Sequence, residues 1–328
     1  MKGLPTLLKK IGRLRILVVG DVMLDHYLWG DATRISPEAP VPVAHISRET
    51  HTVGGAANVA NNVAALGAKV EVVGAIGRDA NAKKLCAYLH ERHIAFDQRF
   101  SNAALKTITK TRVIVRNQQL CRLDQEDPPS AYRQRLGAAD LQAIEEKIAK
   151  VDGIILSDYA KGMITTALIE RITGIARKHG KWVSLDPKPP NVVEFSDLDL
   201  VTPNRKEAIE LSGLSFGSDE EVDLDRIYTA ICAKYRPRNL VITLGAGGML
   251  ISQKSGPPKV IPTAARQVYD VSGAGDTVIA ALTLAMTAGA DLEEAADFAN
   301  AAAGVVVGKV GTAVVTPEEL IAYVSHTP

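Results

Sequence analysis

The chain has 328 residues, 46% of them hydrophobic and only 5% aromatic, which is enough to bury a large aliphatic core between helices and a sheet. Thirty-eight basic residues against thirty-seven acidic ones leave a net charge of +1, so no overall field favours nucleic acid or an anionic membrane, and a small molecule is the expected partner. Cys86, Cys121 and Cys232 are odd in number and stand in no metal-ligand spacing, which argues against a disulfide framework and for reduced thiols in the cytoplasm.

The first twenty residues, MKGLPTLLKKIGRLRILVVG, are basic but hold no sustained apolar stretch with a small-residue cleavage site. Nowhere do about 18 apolar residues run together, so neither export nor membrane spanning is expected. From residue 15 onward short apolar runs alternate with helix-period segments, the pattern of strands joined by helical crossovers into a doubly wound, mostly parallel sheet. Strands are predicted at 15–20 (RILVVG), 69–77 (KVEVVGAIG), 153–158 (GIILSD), 182–186 (WVSLD), 198–204 (LDLVTPN) and 239–245 (NLVITLG). Most end in Gly, Asp or Asn. Such residues make good turns, but in open α/β sheets ligands also collect beyond the carboxyl ends of the strands. The loop PKPPN (187–191) follows one of those ends.

Two stretches interrupt the alternation. Residues 34–50 (RISPEAPVPVAHISRET) and 105–123 (LKTITKTRVIVRNQQLCRL) read as β-rich segments with Pro only where an edge strand tolerates it. Together they predict a small sheet covering the main layer of a single domain, 1–328. That sheet could serve as a water-excluding lid, as a dimerisation flap, or as both.

Two glycine motifs carry the chemistry. GGAANVANNVAALGA (54–68) sets Gly54 and Gly55 before a helix whose first turns hold Asn58, Asn61 and Asn62. It is neither a P-loop nor a dinucleotide fingerprint, since GxxxxGK[ST] and GxGxxG are both absent there. DVSGAGDT (270–277) precedes the helical run VIAALTLAM. Gly273, Ala274 and Gly275 would bring backbone N–H groups at a helix start close to a phosphoryl group, and Asp276 beside them is placed to accept a proton from an attacking hydroxyl. The same Asp276 could simply cap the helix.

The two motifs, in this order and at this separation, resemble the signature segments of the ribokinase, or PfkB, family of carbohydrate kinases. The resemblance covers nearly the whole chain, including GDVMLD after the first strand, TPNRKE (202–207) and TLGAGG (243–248). Within that family, residues 20–43 (GDVMLDHYLWGDATRISPEAPVPV) resemble the heptose kinase branch, whose bifunctional members carry an additional adenylyltransferase domain. This chain stops at Pro328, so the resemblance is to the stand-alone kinase form.

The resemblance implies a ribokinase-like fold and the transfer of the γ-phosphoryl of ATP to O1 of D-glycero-β-D-manno-heptose 7-phosphate. That step would lie in ADP-heptose and lipopolysaccharide biosynthesis. Another sugar phosphate, such as fructose 1-phosphate or tagatose 6-phosphate, is the nearest alternative, and an inactive nucleotide-binding protein the more distant one. Asp276 is implied as the base, with Gly273, Ala274 and Gly275 as the anion hole. Asp270 would help bind a monovalent cation, K+, together with carbonyls around Val306, Lys309 and Gly311. Asn204 and Glu207 would organise Mg2+ through water; the same pair also spells a capping box.

For ATP, Thr243, Gly245 and Gly248 would form the nucleotide loop, with Asn300 and Ala303 bordering the adenine. For the sugar, Asp25, Gly55 and Asn58 would bind hydroxyls. Candidates for the distal phosphate are Lys188, Arg34 and Arg112, with Arg116, Arg122 and Lys161 behind them; Lys188 could instead neutralise the γ-phosphate of ATP. A homodimer paired through the lid is expected. His26, His45, His51, His90 and His93 match no ligand pattern such as HExxH and have no spaced Cys or acid partner pointing to zinc. Trp29, near Asp25, reads as a packing residue before a substrate-stacking one.

Overall fold

The structure, a computed structural model, describes residues 3–116, 118–133, 136–189, 191, 193–217, 222–252 and 257–325. Asn117, within the second predicted lid segment, and Pro190, within PKPPN, lie outside the described residues.

The expected alternation resolves into a six-stranded parallel sheet. In spatial order its strands are β10 (Leu200–Val201), β9 (Trp182–Asp186), β8 (Gly153–Ser157), β1 (Arg15–Gly20), β4 (Lys69–Val73) and β5 (Ala95–Phe96). The central strand β1 is buried at every residue after Arg15, as expected of a parallel strand with helices on both faces. One face carries the helices Leu4–Ile11, Ala56–Ala65, Ala80–Glu91, Ala274–Thr287 and Leu292–Val306. The other carries Ala138–Ile148, Thr166–Lys178, Arg205–Ser212 and Leu224–Tyr235.

From β1 the chain steps outward to β4 and β5, then returns to place β8 on the opposite side of β1. The order therefore reverses between β1 and β8, and a crevice opens beyond their carboxyl ends. Asp21 sits at that point. It is almost fully buried, and its carboxylate accepts the backbone N–H groups of Tyr159 (2.9 Å), Lys161 (3.0 Å) and Met163 (3.0 Å). This clamp ties the SDYAKG segment after β8 to the end of β1.

The strand expected at 198–204 stops at Val201, because Pro203 has no N–H to extend the ladder. Beyond it β11 (Val241–Thr243) continues the layer only through single bridges, Val201 with Leu240 and Asn204 with Thr243. β11 instead forms an antiparallel three-stranded sheet with β12 (Met249–Ile251) and β13 (Lys259–Ile261), neither of which the apolar runs had predicted.

The sheet expected as a lid, and called the lid below, is four-stranded in the order β3 (Pro42–Gly55), β2 (Val22–Ile35), β6 (Thr109–Val115), β7 (Gln118–Gln125). The second predicted segment corresponds to β6 and β7. The first was placed too late, since β2 begins at Val22, immediately after Asp21. The central sheet thus runs almost directly into the lid, and the alternation in VMLDHYLW belongs to a strand.

Candidate functional site

The crevice contains a cleft of about 300 Å³ whose wall includes Asp25, Asn58, Tyr159, Asp186, Lys188 and Asp276. DVSGAGDT forms one end of it. Gly273 is the N-cap of the helix Ala274–Thr287 and adopts a left-handed conformation, φ 79°; a Cβ there would also lie 2.9 Å from Asn58 Nδ2, so only glycine fits. Asp276 is in the first turn and makes no cap. Its Oδ2 accepts a hydrogen bond from Asn58 Nδ2 at 2.6 Å, and its Oδ1 accepts one from the Tyr159 hydroxyl. The carboxylate is 7% exposed. Burial pushes its pKa up to about 6, against the lowering effect of those two donors. A carboxyl held near neutrality at a helix N-terminus combines a proton acceptor with an anion-attracting field.

The N–H of Ala274 donates to the Val271 carbonyl at 3.2 Å, while Gly273 and Gly275 line the cleft. The helix Ala56–Ala65 packs against Ala274–Thr287 through paired polar groups. Besides Asn58 on Asp276, Thr277 donates to Asn62 Oδ1 at 2.7 Å. The Asn58 Oδ1 is buried without a partner among the described residues. The asparagines of the first glycine motif therefore hold the second motif in place.

On the lid side, Asp25 on β2 is buried and accepts from Arg112 Nη1 on β6 at 2.6 Å. Gly54 must be small, because a Cβ there would lie 2.6 Å from Asp25 Oδ2. Gly55 also lines the cleft. Lys110, which was not anticipated, lies on the same face of β6 and lines the cleft too. Burial and then the neighbouring Lys161 lower its pKa, outweighing the opposite pull of the Asp25 and Asp124 carboxylates.

At the opposite wall Asn204 and Glu207 form the capping box, Glu207 N–H to Asn204 Oδ1 at 3.0 Å and Asn204 N–H to Glu207 Oε2 at 2.8 Å. Lys188 donates to the remaining Glu207 oxygen at 2.6 Å. Burial disfavours the Lys188 ammonium, but the Glu207 carboxylate more than compensates and its pKa is raised. Beside them Asp186, at the end of β9, has its pKa pushed well above the carboxylate range by burial and by the charges of Glu207 and Asp276. Asp158 rises to about 7, chiefly by burial. This concentration of carboxyl groups fits a divalent cation, which would relieve their repulsion.

The sequence matches the pfkB family carbohydrate kinase profile over residues 13–319. The chain belongs to this family. It is 42% identical over 312 residues to the bifunctional protein HldE of Sulfurimonas denitrificans, covering 94% of this chain and 64% of that protein, so it spans less than two thirds of that relative's length. Identity to HldE of Helicobacter pylori strain J99 is also 42%, over 316 residues, covering 95% of this chain and 67% of that protein. The fold is that of the Arabidopsis thaliana ribokinase solved with ribose and ATP: TM-score 0.75 at 20% identity, with 96% of this chain and 100% of that one aligned.

Several residues proposed for this kinase from sequence do not meet at the cleft. Arg34 is exposed near the far end of β2. Arg116 pairs with Asp31 and Arg122 with Asp124, each at 2.7 Å on the lid surface. Lys161 turns to Glu126 at 2.6 Å. Asn300 uses both ends of its amide on backbone, Nδ2 to the Pro262 carbonyl (2.6 Å) and Oδ1 from the Ala264 N–H (3.1 Å), so it braces the chain after β13 instead of lining the cleft. Ala303, on the same helix, packs against the core.

Thr243 lines the cleft, and the exposed turn Gly245–Gly247 follows it. Gly248 closes that turn with φ 88°, where a Cβ would fall on the Ile261 carbonyl. Asp270 accepts the N–H groups of Ser272 (2.9 Å) and Gly311 (3.0 Å), which places it beside the 306–311 segment as expected. The Val306 and Gly311 carbonyls each accept one chain N–H, from Lys309 and Ala313, leaving a second lone pair on each for a cation. Trp29 stacks near Tyr27, under the Arg48 guanidinium, in a packing role.

Tyr159, Asp158 and Asp186 were missed individually. Their signal was present in the strand endings SD and LD, which mark a crevice position without saying which side chain turns inward.

Proposed function

We propose that this kinase transfers the γ-phosphoryl of ATP to O1 of D-glycero-β-D-manno-heptose 7-phosphate, forming the 1,7-bisphosphate for ADP-heptose and lipopolysaccharide synthesis. The observation that carries the reading is Asp276, buried at a glycine-opened helix N-terminus and held in the cleft by Asn58 and Tyr159. The resemblance of residues 20–43 to the heptose kinase branch and the similarity to HldE support the choice of sugar.

In this reading Asp276, ionised at neutral pH, takes the proton of the sugar hydroxyl as it attacks. The N–H groups of Gly273 and Gly275 face the phosphoryl oxygens, where developing charge is stabilised by donors fixed in advance. Asn58 Oδ1, which has no partner of its own, accepts a sugar hydroxyl beside Asp25. Arg112 and Lys110 take the distal phosphate, and that anion restores the Lys110 ammonium to its ordinary range. Mg2+, when bound with ATP, supplies charge neutralisation; Glu207 and Asp186 would hold it, in part through water, while Lys188 faces the phosphates. K+ would sit by Asp270 and stiffen the anion-hole loop. A second copy docks on the lid, where Ile35, Val41, Leu120 and Leu123 are exposed.

A panel of sugar phosphates assayed for ATP consumption tests the substrate. Preference for fructose 1-phosphate or tagatose 6-phosphate over the heptose would overturn the assignment, and no turnover with any sugar would favour an inactive nucleotide-binding protein. Sedimentation at several concentrations tests the dimer.

A further inference from the structure

The histidines that matched no ligand pattern along the chain meet across the lid. His26 on β2 lies directly opposite His51 on β3 in the strand register, and Glu49 stands two residues before His51, on the same face of β3. His26 Nε2 is 3.0 Å and His51 Nε2 3.2 Å from the same Glu49 Oε1. We propose that His26, His51 and Glu49 form a binding site for a divalent transition metal, of the zinc type, that fastens β2 to β3.

Two imidazoles and one carboxylate with a fourth position open to water is a donor set that borderline metals favour. The other nitrogen of His26, Nδ1, lies 3.0 Å from Thr111 Oγ1 on β6. In the tautomer whose Nδ1–H donates to this hydroxyl, the Nε2 lone pair is left for a metal, the supporting arrangement common to metal-bound histidine. His26 Nε2 is buried, and although Glu49 Oε1 lies 3.0 Å away the two do not meet in hydrogen-bond geometry. The two rings stack in parallel with centroids 4.3 Å apart; ligation at the usual Zn–N distance of about 2.0–2.1 Å needs them to tilt, which rotation about χ2 provides.

Lys84, on the helix Ala80–Glu91, places its ammonium 3.0 Å from His51 Nε2 and 3.5 Å from Glu49 Oε1. It stands in for the cation and must swing out when one binds, which its long, partly exposed stem allows. The site lies one residue from Asp25, on the opposite face of the lid strand, so a metal here would stiffen the strand that presents Asp25 to the cleft without entering the cleft itself.

The test uses the full chain stripped with chelator and titrated with Zn2+ by calorimetry and with Co2+ by visible absorption. Saturable binding near one equivalent with Kd below about 100 μM, d–d bands of four-coordinate cobalt, and loss of at least tenfold affinity in His51→Ala are expected. Removing the competing ammonium in Lys84→Ala should tighten binding about tenfold by relieving charge repulsion, and this exposed substitution leaves folding intact. Binding weaker than about 1 mM, or equal affinity in wild type, His51→Ala and Lys84→Ala, would overturn the proposal.

Discussion

Replacing Tyr159 by Phe removes one hydroxyl from beside Asp276 and changes little else, because the ring stays where it packs. The Tyr159 O–H donates to Asp276 Oδ1, a bond that favours the ionised carboxylate and holds its pKa down against the larger effect of burial. A hydrogen bond to a charged group contributes about 1.5–3 kcal/mol, and one pKa unit corresponds to about 1.4 kcal/mol. Losing it should therefore raise Asp276 from about 6 by roughly 1–2 units. The base would then be at least half protonated at pH 7. In a coupled ATP assay from pH 5 to 9.5, the acid limb of kcat/KM in Tyr159→Phe should move to higher pH by roughly 1–2 units. The rate should fall about two- to tenfold at pH 7 and recover most of the loss at pH 9. An acid limb that stays in place, or a loss equally large at every pH, would refute the coupling between Tyr159 and the base.

Asp276→Asn should retain ATP binding in a calorimetric titration while kcat falls by roughly 10²–10⁴-fold; near-normal turnover would remove Asp276 as the base. The same variant reports on stability, because a carboxyl raised on folding stabilises the native state while protonated and loses that contribution as pH rises from about 4 to 6. Wild type should therefore lose up to about 3 kcal/mol relative to Asp276→Asn between pH 4 and 7 in urea titrations, an upper bound since cleft water reaches the carboxylate; a difference independent of pH would contradict the raised pKa. Arg112→Met should raise KM for the sugar phosphate at least tenfold with KM for ATP little changed, and Lys188→Met should do the reverse; the opposite pattern would exchange their sides of the cleft. Gly248→Ala forces a side chain into φ 88° against the Ile261 carbonyl and should cost about 2 kcal/mol or more in denaturant unfolding, whereas unchanged stability would mean that the turn relaxes freely.

The sequence alone determined the layered α/β fold, because runs such as RILVVG and GIILSD are apolar on both faces and can only be covered by helices on two sides. It also determined where the anion-attracting turn lies, since tight glycine spacing before an apolar helix is a local property. For Asn204 and Glu207 it read both a capping box and a phosphate-side pair, and the capping bonds are present while Lys188 joins them at the cleft wall. What only the tertiary structure decided is which distant groups share a volume. Asn58 and Asp276 are 218 residues apart, and Tyr159 is 117 from Asp276. Burial that lifts the Asp276 carboxyl to about 6 comes from elements no local window contains. The lid shows the same limit: which of Arg34, Arg112, Arg116 and Arg122 faces the cleft depends on strand register and on nearby carboxylates, and a one-residue change of register would turn each side chain to the other face. His26, Glu49 and His51 were scattered letters until cross-strand pairing set His26 opposite His51, with Glu49 beside them.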